Sequence, residues 1–264
     1  MQDLKILALQ SDLFWENPEA NRKHFAEQID LNFDAHHLIL LPETFTTGFP
    51  VSPIHFAETT EGATIQWMKT IAEKTGAVIT GTLLLANSRG FANTLVWMSP
   101  DGSFERYEKR HVFSMGGEDE HITAGETPLL VNLHGWLIKP MICYDLRFPV
   151  WSKNRLLNNR YEYDLAIYLA NWPAVRSYPW RQLLIARAIE NQAYVIGVNR
   201  VGKDDFDIDY QGDSMFVDSK GQILTEGTTG RASALSASLS AKELLSFREK
   251  FNVSLDWDNF EIQI

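Results

Sequence analysis

A layered α/β sandwich that mixes hairpin and crossover connections is the fold class this sequence predicts. Short apolar runs alternate with longer amphipathic stretches along its 264 residues, a pattern of strands and helices. The early part reads β-α-β-α-β, the middle reads as β-hairpins, and the later part returns to β-α-β. One parallel doubly wound sheet would not carry hairpins in its middle.

Each element has a local reason. Residues 6–9 and 38–41 are apolar runs of strand length, and 18–30 between them reads as a helix. Residues 64–74 read as a second helix, with Ile65, Met68 and Ile71 on one face. Segments 77–85, 93–98 and 104–109 read as successive strands, and Pro100-Asp101-Gly102 supplies the tight turn between the last two. Residues 129–133 and 136–143 form a hairpin through His134-Gly135. A helix is expected over 150–157, a buried strand over 165–170, a long helix over 180–192 and a strand over 193–198. Strands at 215–217 and 232–239 precede a last helix over 241–250. No linker rich in Pro, Gly or Ser and no repeat interrupts this order. One domain over 1–264 is expected, with about 251–264 as a C-terminal tail.

Composition narrows the function classes. A hydrophobic fraction of 45% is that of an ordinary globular protein. A formal net charge of -10 and a pI near 5.2 argue against nucleic acid or an anionic membrane as the partner. One cysteine excludes an intrachain disulfide and a multi-cysteine zinc site, and fits a reducing compartment. The first residues lack the pattern of a secretory signal. No run approaches the roughly 18 apolar residues of a spanning helix. A cytoplasmic protein is the expectation.

Three strand ends carry candidate chemistry. Cys143 ends the apolar run 137–142 and opens the charged turn Tyr144-Asp145-Leu146-Arg147. There it is either a small buried hydrophobe or a nucleophile whose thiolate helix-directed N–H groups favour. Glu43 follows the buried run 38–41 directly, a place where crevices form in α/β sheets and where a carboxylate suits general base work. It could equally cap a local turn with Thr44 and Thr46. Lys109 ends the charged strand 104–109, where an ammonium can hold a developing oxyanion or simply belong to a solvated edge strand. The polar loop Gly116-Gly117-Glu118-Asp119-Glu120-His121 follows, and its glycines let it fold closely over a site.

Leu41-Pro42-Glu43, the segment from Tyr107 to Phe113 and the segment from Ile142 to Pro149 occur in this order with wide spacing. So do Ala170-Asn171-Trp172-Pro173, the segment from Arg187 to Gln192, and Gly212-Asp213-Ser214. Together they resemble the carbon–nitrogen hydrolases of the nitrilase superfamily, from about residue 6 to about 239. The wording around Cys143 and Asn171 is most similar to the omega-amidases, which hydrolyse the terminal amides of 2-oxoglutaramate and 2-oxosuccinamate. The resemblance implies a four-layer α-β-β-α sandwich, a homodimer or higher homo-oligomer, a small-molecule amide substrate and no metal or organic cofactor. It makes Glu43 the general base, Lys109 the oxyanion-stabilising lysine and Cys143 the nucleophile. A second glutamate stands seven residues before a glycine in this family. Glu118 stands so before Gly125, with Glu120 as the alternative.

The backbone N–H of Tyr144 is the expected second oxyanion donor. A substrate carboxylate needs a cationic pocket, for which Arg147, Arg176 and Arg110 are candidates, with Phe113, Trp172 and Tyr144 as walls. Rival readings place His111 or His134 beside Cys143 as a papain-like pair, or a metal on His121, Glu118 and Glu120. The acidic run 204–209 lacks the Gly and Glu of a calcium loop and reads as an exposed turn. An N-carbamoyl amidohydrolase or other aliphatic amidase, and a catalytically silent small-molecule binder on the same fold, are the alternatives of function.

Overall fold

Alternation along the first strand sets the architecture. The computed structural model describes residues 1–49 and 52–263. In β1 (Leu4–Gln10), Leu4, Ile6 and Ala8 enter one core while Leu7 and Leu9 enter another, as a period of two requires. After β1 come α1 (Pro18–Asn32), β2 (Leu38–Leu40), the single turn α2 (Pro53–Phe56) and α3 (Ala63–Thr75). An antiparallel run follows, made of β3 (Val78–Asn87), β4 (Gly90–Met98) and β5 (Phe104–Glu108). The hairpin of β6 (Val131–Leu133) and β7 (Trp136–Ile142) leads to α4 (Pro149–Ser152) and a small hairpin of β8 (Leu156–Leu157) and β9 (Arg160–Tyr161). Then come β10 (Leu165–Ala170), α5 (Ser177–Asn191), β11 (Tyr194–Asn199) and the hairpin of β12 (Val201–Lys203) and β13 (Asp209–Gln211). The chain continues through β14 (Met215–Val217), β15 (Ile223–Glu226), β16 (Ser233–Leu239) and α6 (Ala241–Lys250).

The strands make two six-stranded sheets, in the orders β16-β1-β2-β3-β4-β5 and β15-β14-β11-β10-β7-β6. The sheets face each other, β1 against β11 and β4 against β7. On the outer side of the first sheet, Phe25 and Ile29 of α1 and Ile65, Met68 and Ile71 of α3 pack on Leu7, Leu9, Ile39 and Leu41. On the second sheet, α5 packs on β11 and β14, burying Trp180, Leu184 and Ala188. The result is the expected α-β-β-α order of four layers. Within each sheet the central strands are parallel: β1, β2 and β3 in one, β7, β10 and β11 in the other. Their C-terminal ends therefore gather on one side of each sheet, where crevices form.

One expectation needs correction. The helix expected over 150–157 lasts one turn, Pro149–Ser152, and Lys153 is already extended. Asn158 and Asn159 then both take positive φ, 51° and 59°, the geometry of a tight hairpin turn, so Leu156–Leu157 is a strand. The acidic run 204–209 is an exposed turn as expected, at the tip of the β12–β13 hairpin, with Asp204 its one buried residue. Asp204 is 5% exposed and accepts from the N–H groups of Phe206 and Ile208 and from the Tyr210 hydroxyl. Asp204 thereby folds the tip back on itself, and Phe206 and Ile208, both still exposed, reach the cavity described below.

Candidate active site

Four strand ends converge where the two sheets meet. Glu43 lies three residues beyond β2, Lys109 one beyond β5, Cys143 one beyond β7 and Asn171 one beyond β10. Glu43 is fully buried. Its Oε1 accepts from Lys109 Nζ at 2.9 Å and Asn93 Nδ2 at 2.9 Å, and its Oε2 accepts from the Asn171 N–H at 2.8 Å. The Asn171 side chain donates back to the Glu43 carbonyl and to Thr44 Oγ1. Thr44 sits at φ 38°, a conformation a β-branched residue rarely adopts. Its N–H donates to Thr82 Oγ1 at 2.7 Å, which holds it there.

Lys109 is 1% exposed and touches two carboxylates. Its Nζ lies 3.1 and 2.9 Å from the two oxygens of Glu118, which is 3% exposed. Burial alone would push the ammonium's pKa down, but Glu118 and Glu43 outweigh it and hold the pKa far above its ordinary value. Lys109 is therefore a fixed cation. Burial and the nearby Glu43 charge push the Glu118 carboxyl up, opposed by Lys109. The Phe113 N–H donates to Glu118 at 2.6 Å and ties the 113–118 loop to the pair. Gly125 completes the support, donating its N–H to the Lys109 carbonyl. A Cβ there would stand 2.1 Å from the Glu108 carbonyl oxygen, so no other residue fits without moving that strand.

Cys143 opens a short 3-10 helix, Cys143–Arg147, at φ 39°. A non-glycine residue held in this region stores strain of the kind found at functional sites. Its Sγ faces the Asn171 carbonyl at 3.9 Å. The expectation that helix N–H groups favour the thiolate is overturned. Burial and then the Glu43 charge push the thiol pKa well above its ordinary value, and Lys109 only partly offsets them. The resting group is a thiol held near the Glu43 charge. Tyr144 follows in the first turn, where a helix leaves N–H groups without intrahelical partners.

A cavity of about 250 Å³ opens onto this cluster, with Cys143 and Lys109 at its base. Phe113, Tyr144 and Trp172 wall it, together with Phe49, Phe206, Ile208 and Tyr210. The guanidinium of Arg147 lies 4.8 Å over the Trp172 ring and that of Arg176 5.5 Å over the Phe113 ring. Among the described residues neither has a carboxylate partner. Both cations line the cavity. Arg110 lies elsewhere, donating to the Gly125 carbonyl and stacking on Trp151.

The rival arrangements do not form. His111 Nδ1 pairs with Asp145 and its ring stacks on Phe148, while His134 stands against His37. Among the described residues no group of three or more His, Cys, Asp or Glu is placed to hold a metal ion, and Glu118 is engaged with Lys109. Sequence reasoning missed Asn93, a fully buried amide whose Nδ2 donates to Glu43 at 2.9 Å and to Glu118 at 3.3 Å. Its one signal is an amide inside the apolar run of β4. It also missed Phe49, Phe206, Ile208 and Tyr210. No helix is long and apolar enough to cross a membrane among the described residues.

Comparison with known proteins bears on this geometry. The carbon-nitrogen hydrolase family model matches residues 7–249. The chain is 44% identical over 260 residues to the omega-amidase YafV of Yersinia enterocolitica, covering 98% of this chain and 99% of that one. It is 30% identical over 252 residues to the 2-oxoglutaramate amidase of Bacillus subtilis, covering 94% and 95%. The crystal structure of XC1258 from Xanthomonas campestris, a CN-hydrolase superfamily protein with an arsenic adduct in its active site, superposes with a TM-score of 0.97. The two chains are 40% identical and each is covered completely. Likeness of this extent joins the strand-end cluster to one chemistry: the chain belongs to the carbon-nitrogen hydrolase family and is an omega-amidase-like amidohydrolase.

Proposed function

We propose that this enzyme hydrolyses the terminal amide of 2-oxoglutaramate and 2-oxosuccinamate through a thioester on Cys143. The observation that carries this is the buried contact of Lys109 with Glu43 and Glu118, set beside Cys143 under a cavity lined by two guanidinium groups that have no carboxylate partner among the described residues. A relative named for 2-oxoglutaramate supports the substrate.

An amide has a poor electrophile and a poor leaving group, so both ends need help. Glu43 takes the Cys143 thiol proton, which the thiol would otherwise keep, and the sulfur attacks the amide carbon. The Lys109 ammonium and the Tyr144 N–H stabilise the tetrahedral oxyanion; losing one such donor typically costs about 2.7–4 kcal/mol. The C–N bond breaks as Glu43 passes its proton to nitrogen, and ammonia leaves. Glu43 then takes a proton from water, the hydroxide attacks the thioester, and the C–S bond breaks as the sulfur regains its proton. Glu118 fixes Lys109 throughout. Arg147 and Arg176 receive the distal carboxylate, with Phe113 and Trp172 against the carbon chain.

The whole chain works as one domain. Its single cysteine supports a reducing cytoplasm as its place. Exposed Tyr178 and Ile189 on α5 and Leu245 on α6 support pairing as a homodimer, which sedimentation measures. The substrate is tested by incubating the enzyme with 2-oxoglutaramate and, separately, with an N-carbamoyl amino acid, and assaying ammonia and carbon dioxide. Ammonia alone is expected. Carbon dioxide from a carbamoyl substrate, with no ammonia from the amide, would replace this reading.

A further inference from the structure

The mechanism above leaves one fully buried carboxylate unused. Asp145, the second residue after Cys143, is 0% exposed. Its Oδ2 accepts from the Tyr107 hydroxyl at 2.7 Å and from the Ile142 N–H at 3.0 Å. Its Oδ1 accepts from the His111 N–H at 3.0 Å and lies 2.7 Å from His111 Nδ1. Tyr107 and His111 stand two residues before and two after Lys109, and Ile142 directly precedes Cys143. The Tyr107 hydroxyl also accepts from Trp151 Nε1 at 3.0 Å. Desolvation and then the Asp145 charge push its pKa well above the ordinary value, so Tyr107 keeps its proton and donates it.

We infer that Asp145 is the positioning residue of this active site: one carboxylate ties both flanks of Lys109 to the backbone that carries Cys143. A carboxylate is acceptor-only and has about four lone-pair sites, which matches the four contacts here. The oxyanion must form between the Cys143 sulfur and the Lys109 ammonium, two groups on different sheets. Each sheet is rigid, yet only contacts of this kind set one strand end against another. A misplacement of about 1 Å costs roughly a hundredfold in rate. Asparagine at 145 would turn an N–H₂ toward N–H and O–H donors and break the tie on one side while leaving every catalytic group present.

The inference rests on the thioester reading, and its test separates the two. In Asp145→Asn, kcat for 2-oxoglutaramate is expected to fall about a hundredfold, with KM within about twofold. Alkylation of Cys143 by iodoacetamide needs the sulfur and its base but builds no oxyanion, so its rate should fall by less than about threefold. A purely structural role would depress both rates together. Tyr107→Phe and His111→Phe each remove one contact, on opposite oxygens, and should show the same split at about tenfold in kcat; they carry the test if Asp145→Asn does not fold. Equal losses in hydrolysis and alkylation, or kcat within about threefold of the parent, would overturn the inference. A parent enzyme that gives no ammonia from any amide would instead sink the thioester reading.

Discussion

Lys109 and Glu118 meet in a two-pronged ion pair, with the ammonium nitrogen 3.1 Å from one carboxylate oxygen and 2.9 Å from the other. The pair is out of solvent, and Glu43 takes the third side of the same ammonium. Glu118→Gln keeps the volume and loses the charge. It should lower kcat by about a hundredfold and stability by about 2 kcal/mol. Glu120, exposed two residues on, should tolerate Glu120→Gln within about twofold in kcat. Steady-state kinetics and denaturant melts of both variants check this, and the reverse ranking would make Glu120 the supporting carboxylate.

The pH dependence of alkylation isolates the role of Glu43. Its charge helps to hold the Cys143 thiol up, while Lys109 pulls it down. Glu43→Gln removes the first influence and keeps the second, so the thiol pKa falls. Iodoacetamide inactivation of the variant should then reach its plateau at lower pH than in the parent. Amide hydrolysis should nonetheless drop by about 10²–10⁴-fold, the usual loss of a general base. A profile unmoved by the substitution would separate Glu43 from the thiol.

Stability should carry the mark of the same thiol. The folded chain holds the Cys143 proton at a pH where the unfolded chain has released it. Stability is therefore lost as pH rises through about 8.5, the unfolded value. The slope from this group is at most about 1.4 kcal/mol per pH unit. Cys143→Ala removes it. Thermal melts between about pH 8.5 and 9.5, below the ordinary range of tyrosine, should fall more steeply for the parent than for the variant. Parallel curves would contradict the direction of the shift.

The two guanidinium groups of the cavity give a substrate-dependent prediction. Arg147→Met and Arg176→Met should each raise KM for 2-oxoglutaramate by about tenfold to a hundredfold, the range for a lost hydrogen bond to a charged group. Turnover of a neutral aliphatic amide should change by less than about threefold. Kinetics on both substrates check this. Equal losses on the two would make the arginines wall residues rather than carboxylate ligands.

The frame of this enzyme is readable from strand ends. Leu38–Leu40 and Trp136–Ile142 announce themselves as apolar runs, and a charged or nucleophilic residue placed just beyond such a run has only the crevice to enter. That is why Glu43, Lys109 and Cys143 stand out by position, and why Arg147, Arg176, Phe113 and Trp172, each near one of these ends, all reach the cavity. Asn93 is hidden because an amide in mid-strand declares nothing until its partners, fifty residues back and twenty-five ahead, are folded around it. Phe206 and Ile208 are hidden for another reason. They sit on an exposed hairpin tip, and only the fold of that tip, with Asp204 accepting from both of their N–H groups, brings them to the cavity. The overlong helix at 150–157 failed on the Asn158-Asn159 turn, whose positive φ angles outrank helical periodicity.

The central claim is a covalent one, that the acyl group is carried on Cys143. Enzyme mixed with 2-oxoglutaramate, quenched in acid within the first turnover and digested, should yield the peptide containing Cys143 heavier by the acyl group, with one equivalent of ammonia already released. The adduct should be absent from Cys143→Ala, which should also release no ammonia. Ammonia production by Cys143→Ala at the parent rate, or release of ammonia by the parent with the Cys143 peptide never modified, would contradict a thioester path.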